Sequence, residues 1–371
     1  MKIFVVCTRL CFGGAEHVGV LLANGLANRG HEITVIANLF DEQTYELDAN
    51  IRLLNLVSTN SNKIFKWLGA FSLMRKYLKQ YRPDVVIGIL NTTSFIAKIA
   101  GIGLHIPVVM TEHDSFERPK NAPFGFWKWF AKFELNKMYR YVTVLTEADK
   151  KNIKEKLNNV IVMPNPLSWD QYAGISKREK VILAAGRLED WFCKGFDILL
   201  DAFAKIADKY PDWNLQIAGY GTQCEFDFIR RMAREKNIEK RVRLLGFRND
   251  IRDVFQKKEI FVLSSRYEGF GLVLIEAMSQ GCACIACDFK GRQREIITSE
   301  KEGLICKVND IDALSAAIEK LISNPDYRKL ISEGGKERSK VYSLSRISEK
   351  WEKLLKSIVD ENNRIYGHEI Y

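Results

Sequence analysis

Short, almost uninterrupted apolar runs alternate along the chain with longer stretches in which apolar residues recur at helical spacing. The runs predict strands at 2–8, 32–37, 84–89, 107–111, 141–146, 160–163, 181–185, 214–218, 242–245 and 260–263, with a further short buried strand in Cys282-Ala283-Cys284-Ile285-Ala286-Cys287. Helical periodicity falls at 15–29, 64–81, 147–157, 196–210, 272–278, 313–321 and 345–359. Strands that are apolar on both faces suit parallel sheets covered by helices on each side, so the repeated alternation predicts an α/β fold. At 371 residues the chain exceeds one ordinary core, and two such domains are expected. Pro164-Asn165-Pro166 interrupts the pattern. The expected division is an N-terminal domain over 1–166, a linker over 167–178, a second domain over 179–342 and a closing helical segment over 343–371.

Composition agrees with a folded soluble protein, with 47% hydrophobic and 27% charged residues. No apolar run reaches the roughly 18 residues that would suggest a bilayer span. Met1-Lys2 leads straight into Ile3-Phe4-Val5-Val6, a buried-strand pattern rather than a signal peptide, so a cytoplasmic location is expected. The eight cysteines form no disulfide framework; Cys282, Cys284 and Cys287 have no histidine nearby and read as structural thiols.

Charge adds one feature. Of the net +10, most lies in the window 63–140, with 13 Lys/Arg against 5 Asp/Glu. Two stretches there, 63–82 and 124–141, mix basic residues with Phe, Trp and Tyr. Such a surface suits docking on anionic lipid; a solvated helix face with ordinary core aromatics is the other reading. No nucleic-acid motif accompanies the charge, so no nucleic-acid partner is expected.

The stretch richest in chemistry is 264–297. Glu268-Gly269-Phe270-Gly271 precedes an apolar helix expected to be amphipathic, and Glu276 stands eight residues after Glu268. A helix N-terminus with flanking glycines is an anion seat, and a carboxylate further along can reach hydroxyls beside it. The combination suggests a nucleotide sugar. Gly13-Gly14-Ala15-Glu16 occupies a strand-to-helix turn, but its spacing is not the dinucleotide fingerprint, and no acid stands about 20 residues later at a strand end. Glu16 is either a ligand-facing acid or a first-turn acid favoured by the helix dipole. Asn91-Thr92 and Glu112-His113-Asp114 fall at strand carboxyl ends, where open α/β sheets bind ligands; Glu112 or Asp114 would act as a nucleophile only if geometry placed it at a reacting carbon. Arg187 follows a strand, Lys194 precedes a helix, and Gly219-Tyr220-Gly221 and Gly246-Phe247-Arg248 are further strand-end turns. Asp310-x-Asp312 imitates a metal-binding pair but directly precedes a helix, which capping explains.

Taken in order, GGAE at 13–16, EH at 112–113, GRL at 186–188, KG at 194–195, GxG at 219–221 and the Glu268/Glu276 pair resemble the retaining glycosyltransferases of family 4 over nearly the whole chain. The resemblance implies the GT-B architecture, two Rossmann-like domains with parallel sheets facing a central cleft, the last helix crossing back to the first domain. It implies that Gly13, Gly14, Arg187, Lys194, Gly219, Gly221, Arg248, Glu268, Gly269, Phe270, Gly271 and Glu276 contact the donor. His113 would lie beside the donor sugar and, with Glu268, Arg187 and Lys194, form the catalytic set. Glu16, Asn91, Thr92 and Glu112 would lie on the acceptor side. The chain departs from the commoner pattern in that Lys194 comes seven residues after Arg187, with an enlarged insert at 189–193.

The implied reaction is retaining and metal-independent: transfer of a hexose or N-acetylhexosamine from a nucleotide sugar, UDP-linked, to a lipid-linked saccharide at the inner face of the cell membrane. No cofactor is implied, the nucleotide sugar being a substrate. The leaving diphosphate gains negative charge in the transition state, so preorganised cations carry the catalysis. Two unit charges at about 4 Å interact by roughly 4 kcal/mol at an effective dielectric near 20. The alternatives are a sugar-nucleotide epimerase and a non-catalytic carbohydrate- or lipid-binding protein.

Overall fold

The computed structural model describes residues 1–11, 13–39, 45–56, 63–118, 123–153, 156–157, 159–174 and 177–367. Part of the expected linker, residues 175–176, lies outside the described residues. Contacts divide the described chain into two compact units, one built from residues 1–118, 123–168 and 344–367, the other from residues 169–343.

The first unit begins β1 (Lys2–Val6), α1 (Gly14–Ala27), β2 (Glu32–Ala37), β3 (Arg52–Asn55), α2 (Lys63–Tyr81), β4 (Val85–Ile89) and α3 (Leu90–Ala100). It continues through β5 (Val108–Thr111), α4 (Phe126–Phe133), β6 (Tyr141–Val144), α5 (Glu147–Ile153) and β7 (Val160–Val162). Its sheet has the order β3-β2-β1-β4-β5-β6-β7, all parallel. The apolar runs Ile3–Val6, Ile33–Ala37 and Val85–Ile89 account for its centre: helices cover both faces, so consecutive residues are buried and alternation vanishes.

The second unit contains β8 (Glu179–Ala185), α6 (Trp191–Lys194), α7 (Phe196–Ala207), β9 (Asn214–Ala218), α8 (Gln223–Glu235), β10 (Val242–Gly246) and α9 (Ile251–Gln256). It is completed by β11 (Lys258–Leu263), α10 (Leu272–Ser279), β12 (Ala283–Asp288), α11 (Arg292–Ile296), β13 (Leu304–Lys307), α12 (Ile311–Ser323) and α13 (Pro325–Ser339). Its parallel sheet runs β10-β9-β8-β11-β12-β13. The final helix, α14 (Leu344–Tyr366), belongs to the first unit, where Ile347, Trp351, Leu355 and Ile358 join the core beside Val20, Leu22 and Ile33. Each such buried side chain contributes about 1.5–3 kcal/mol by removal from water.

Four differences from the sequence reading bear on the site. β3 is an added edge strand whose Arg-Leu-Leu-Asn stretch has no long apolar run. α3 starts at once after β4, so Asn91 and Thr92 sit in a helical first turn rather than a loop; Thr93 Oγ1 and Ser94 Oγ donate back to Ile89 O and Gly88 O at 2.5 and 2.9 Å. α10 is not amphipathic, since Leu274 through Ser279 are all buried. α8 was not expected, although Thr222 and Glu225 form the reciprocal capping box that Thr-x-x-Glu announces.

Candidate active site

In the second unit the glycine-rich strand ends pack on one another. Gly186 N donates to Ala218 O and Gly219 N to Gly246 O, both at 2.9 Å, and Leu188 N donates to Tyr220 O at 2.8 Å. A Cβ on Gly219 would stand 1.8 Å from Gly186 O, and one on Gly221 2.7 Å from Leu188 Cβ. These two glycines are thus accounted for by turn-on-turn packing. The turns also leave Tyr220 and Phe247 exposed, two rings the sequence reading passed over because nothing in a Gly-x-Gly spacing announces them.

The enlarged insert after Arg187 folds as a 3-10 turn, Leu188–Asp190, followed by α6. Gly195 ends α6 at φ +65°, and a Cβ there would meet Ser264 O at 2.1 Å, so only glycine allows this approach. Arg266 clips the insert to the loop after β11: its guanidinium makes paired 2.7 Å bonds to Asp197, donates to Phe192 O at 2.6 Å and lies 3.9 Å over the Phe192 ring. The extra residues therefore deliver the lysine instead of displacing it. Lys194 Nζ stands 2.7 Å from Glu268 Oε1, which also accepts from Ser265 Oγ at 2.8 Å. Burial disfavours the ammonium, but the adjacent Glu268 carboxylate outweighs it and holds the Lys194 pKa above its ordinary value.

Other donor candidates have less expected surroundings. Arg187 is exposed and paired with Asp190 at 2.6 Å and Glu189 at 3.5 Å; Arg248 donates to Asp250 at 2.7 Å and is exposed as well. Phe270 is a core residue packed edge-on against Tyr342, leaving only its backbone for a ligand. Gly269 is half-buried, and Gly271, at φ +97°, opens α10 with no side-chain cap on the first turn. Glu276 lies in the second turn of α10, 8% exposed.

In the first unit Gly14 opens α1 with nothing within 4 Å of a notional Cβ, whereas Gly13 lies under the Glu16 carboxylate. Glu16 is buried, its first-turn place in α1 favoured by the dipole. Thr92 is exposed, while Asn91 Oδ1 is buried with no hydrogen-bond partner. Glu112 is 4% exposed and ion-paired at 2.8 Å with Lys132, itself 1% exposed; Glu112 also accepts from Asp114 N at 3.0 Å. The carboxylate, expected on the acceptor side, ties α4 to the end of β5 through Lys132. Asp114 is held by Arg118 and Lys128 at 2.8 and 2.6 Å; despite burial, Lys132 and these cations hold its pKa below the ordinary value. Neither acid is placed as a free nucleophile. His113 Nε2 lies 3.0 Å from Thr111 Oγ1, and burial lowers the imidazole pKa to about 4.

The basic windows divide. In α2, Arg75 donates to Ala100 O and Ile102 O at 2.8 and 2.9 Å, a structural task, whereas Lys76, Lys79, Trp67 and Leu68, and Arg82 just past its end, are exposed; the side chains of residues 63–66 lie outside the described residues. In α4, Lys132 and Phe133 face inward while Phe126 and Trp127 are 66% and 78% exposed. Cys282, Cys284 and Cys287 are buried with pKa values pushed up by desolvation. Asp310 accepts from Ala313 N at 2.9 Å as a helix cap, and among the described residues no group of three His, Cys, Asp or Glu is gathered to hold a metal ion.

Residues 12–170 match the family model described as Glycosyltransferase Family 4, and residues 168–338 match Glycosyl transferases group 1. The chain belongs to glycosyltransferase family 4. This glycosyltransferase is 27% identical to a Campylobacter jejuni alpha-1,4-N-acetyl-D-galactosaminyltransferase named for a GalNAc-GalNAc-diNAcBac-PP-undecaprenol substrate, over 96% of this chain and 99% of that one. It is 26% identical to the Escherichia coli UDP-Gal:alpha-D-GlcNAc-diphosphoundecaprenol alpha-1,3-galactosyltransferase, covering 82% and 84%. Sucrose-phosphate synthase from Thermosynechococcus elongatus shares the glycosyltransferase's GT-B fold with a TM-score of 0.80 at 19% identity, covering 97% of this chain and 99% of that one.

Proposed function

We propose that this glycosyltransferase moves a hexose or N-acetylhexosamine from a UDP-sugar to a saccharide carried on a polyprenyl diphosphate, with retention at the anomeric carbon and without a metal ion. The observation that carries the reading is the Lys194–Glu268 pair at the open end of α10. A cation held by the carboxylate that precedes a helix start without a side-chain cap is suited to the charge that develops on a departing diphosphate, and the helix dipole adds to it. Arg187 and Arg248 would turn from their own carboxylates to the donor. The acceptor class is supported by the two relatives named for undecaprenyl-diphosphate substrates, which align over most of the chain.

The enzyme would work as a peripheral protein at the inner membrane face. Among the described residues no helix is long and apolar enough to cross a membrane. The exposed Phe126 and Trp127 of α4, with Trp67, Lys76 and Lys79 of α2 and Arg82 just after it, offer the aromatic and basic groups that an anionic lipid surface takes up. A panel of UDP-sugars with polyprenyl-diphosphate saccharides tests the reading: UDP released only with acceptor present, an axial anomeric product by NMR, and turnover that persists in EDTA are expected. Epimerised donor without acceptor, or activity lost to chelator and restored by magnesium or manganese, would overturn it.

A further inference from the structure

A cavity of about 220 Å³ opens in the first unit at the amino ends of β5 and β6, the sheet edge opposite to the one that carries Glu112 and His113. At roughly 30 Å³ per liquid water, it has room for about seven waters or one small organic ion. Lys98 lines it from the last turn of α3, His105 from the loop that follows, Arg140 and Tyr141 from the start of β6, and Asn362 and Tyr366 from the end of α14. Ile102 and Pro107 add apolar surface.

Lys98 has no structural task. A lysine in the last turn of a helix ordinarily serves the free carbonyls there. In α3 those carbonyls are taken: Arg75 donates to Ala100 O at 2.8 Å and Ile102 O at 2.9 Å, while Gly101 N donates to Ala97 O and Leu104 N to Gly101 O, both at 2.9 Å. Lys98 is half-buried, and among the described residues it makes neither a hydrogen bond nor an ion pair. Burial lowers its pKa with no carboxylate to oppose the shift. Glu361 is already engaged, by Arg140 and by the Tyr141 hydroxyl.

The wall beside this lysine is held in one form. His105 sits at φ +55°, a left-handed backbone uncommon for a residue other than glycine. The end of α14 keeps it there: Asn362 Nδ2 donates to His105 O at 2.8 Å, and the Tyr366 ring lies 4.3 Å from the imidazole at a tilt of 34°. Residues held in such backbone persist where their surroundings over-determine them, and ligand clamps are one such place. Arg140 spends only Nη2 on Glu361, so among the described residues the rest of its fork is open. A phosphate group brings three acceptor oxygens and a charge beyond −1 at neutral pH, which suits an uncompensated ammonium next to a partly used guanidinium better than a carboxylate does.

We propose that this cavity is a second anion site of the chain, taking the phosphate group of a small molecule with Lys98 and Arg140 as its cations and the His105 and Tyr366 rings beside it. Lys98 stands roughly 10 Å further along α3 than Asn91, so the site is separate from the strand ends read as acceptor-side. Inorganic phosphate and a phosphorylated metabolite share this chemistry.

Histidine side-chain NMR on the full chain tests the site, because His105 lines it and the chain has only five histidines; His105→Gln assigns the signal. At fixed pH and ionic strength, inorganic phosphate and glycerol 3-phosphate are each titrated in, and a saturable shift of the His105 resonance is expected. The ligand that saturates at the lower concentration identifies the source. Lys98→Gln should weaken binding roughly tenfold or more, while Lys76→Gln, an exposed cation of α2, should leave it unchanged. A shift that is absent, that persists undiminished in Lys98→Gln, or that chloride or acetate reproduces at the same concentration overturns the proposal. Should Lys98→Gln fail to fold, amine acylation of the wild type read by mass spectrometry decides: phosphate should protect Lys98, and equal labelling with and without phosphate would sink the site. UDP affinity should be the same in Lys98→Gln as in the wild type, so an absence of UDP binding in both would count against the donor reading alone.

Discussion

Lys194 and Glu268, separated by 74 residues of chain, meet at 2.7 Å with both side chains largely shielded from solvent. The carboxylate keeps the lysine charged and aimed before any donor arrives. Glu268→Gln should therefore loosen Lys194, and Lys194→Met should remove the cation outright. A charge-assisted hydrogen bond is worth about 1.5–3 kcal/mol, so UDP affinity in Lys194→Met should fall roughly ten- to hundredfold, with a smaller loss in Glu268→Gln. Calorimetric titration with UDP checks both; unchanged affinity in Lys194→Met would remove the pair from the donor site.

Asp190 is an internal competitor for the guanidinium that a diphosphate would use, since it already holds Arg187 at 2.6 Å. The pair is exposed and worth at most about 1 kcal/mol. Asp190→Asn should tighten UDP binding by up to fivefold at low salt, with the gain fading as ionic strength rises. Weaker binding in this variant would show that Asp190 orders Arg187 instead of occupying it.

Breaking the buried Lys132–Glu112 pair should be costly. Lys132→Met leaves a carboxylate in the interior without its counter-charge, and removal of one member of such a pair destabilises by about 3–5 kcal/mol. The double variant Lys132→Met, Glu112→Gln should recover much of the loss. Urea unfolding of the three proteins measures this, and equal stability of the single and double variants would contradict it.

The surface rings of α4 give a membrane test. Replacing Phe126 and Trp127 with serine should reduce sedimentation with anionic vesicles and raise KM for a lipid-linked acceptor, while soluble-donor binding stays unchanged. Lys76, Lys79 and Arg82 to glutamine should add a salt-sensitive loss. Arg75 is left intact, because its bonds to Ala100 O and Ile102 O would confuse docking with folding.

Acid should destabilise the fold in two stages. Burial lowers the pKa values of His17 and His113 from 6.5 to about 4, so their neutral forms favour the folded state above pH 6.5, and that contribution is lost as pH falls toward 4. Glu352, held by Lys356 and Arg29, is lowered from 4.5 to about 2; its contribution is present above pH 4.5 and lost as pH falls through 2. Thermal melting from pH 7 to pH 3 should show the first loss, and His17→Gln should flatten it between 6.5 and 4.

The apolar runs made the strands legible because parallel strands covered on both faces need consecutive buried residues, as in Ile3–Val6. Edge strand β3 needs no such run and left no trace. Motif spacing led to Lys194 and Glu268 but carried no information about Arg266, whose hold on Asp197 and Phe192 closes through space. Lys132 counted in the sequence as one of many surface cations. Its burial depends on Glu112, twenty residues earlier, and no local pattern links the two. Glu112 in turn stood out because strand ends are where ligands bind, a positional rule that does not see its buried ion pair with Lys132.

The placement of α14 in the core of the first unit has a consequence for biosynthesis. On the ribosome, β1 through β7 emerge long before Ile347, Trp351, Leu355 and Ile358, which pack beside Val20, Leu22 and Ile33. The nascent first unit therefore waits with one apolar wall uncovered while all of residues 169–343 are translated, and the second unit can close first. Vectorial synthesis usually lets the N-terminal domain lead; here the wall that α14 covers is the last part of the first unit's core to be supplied.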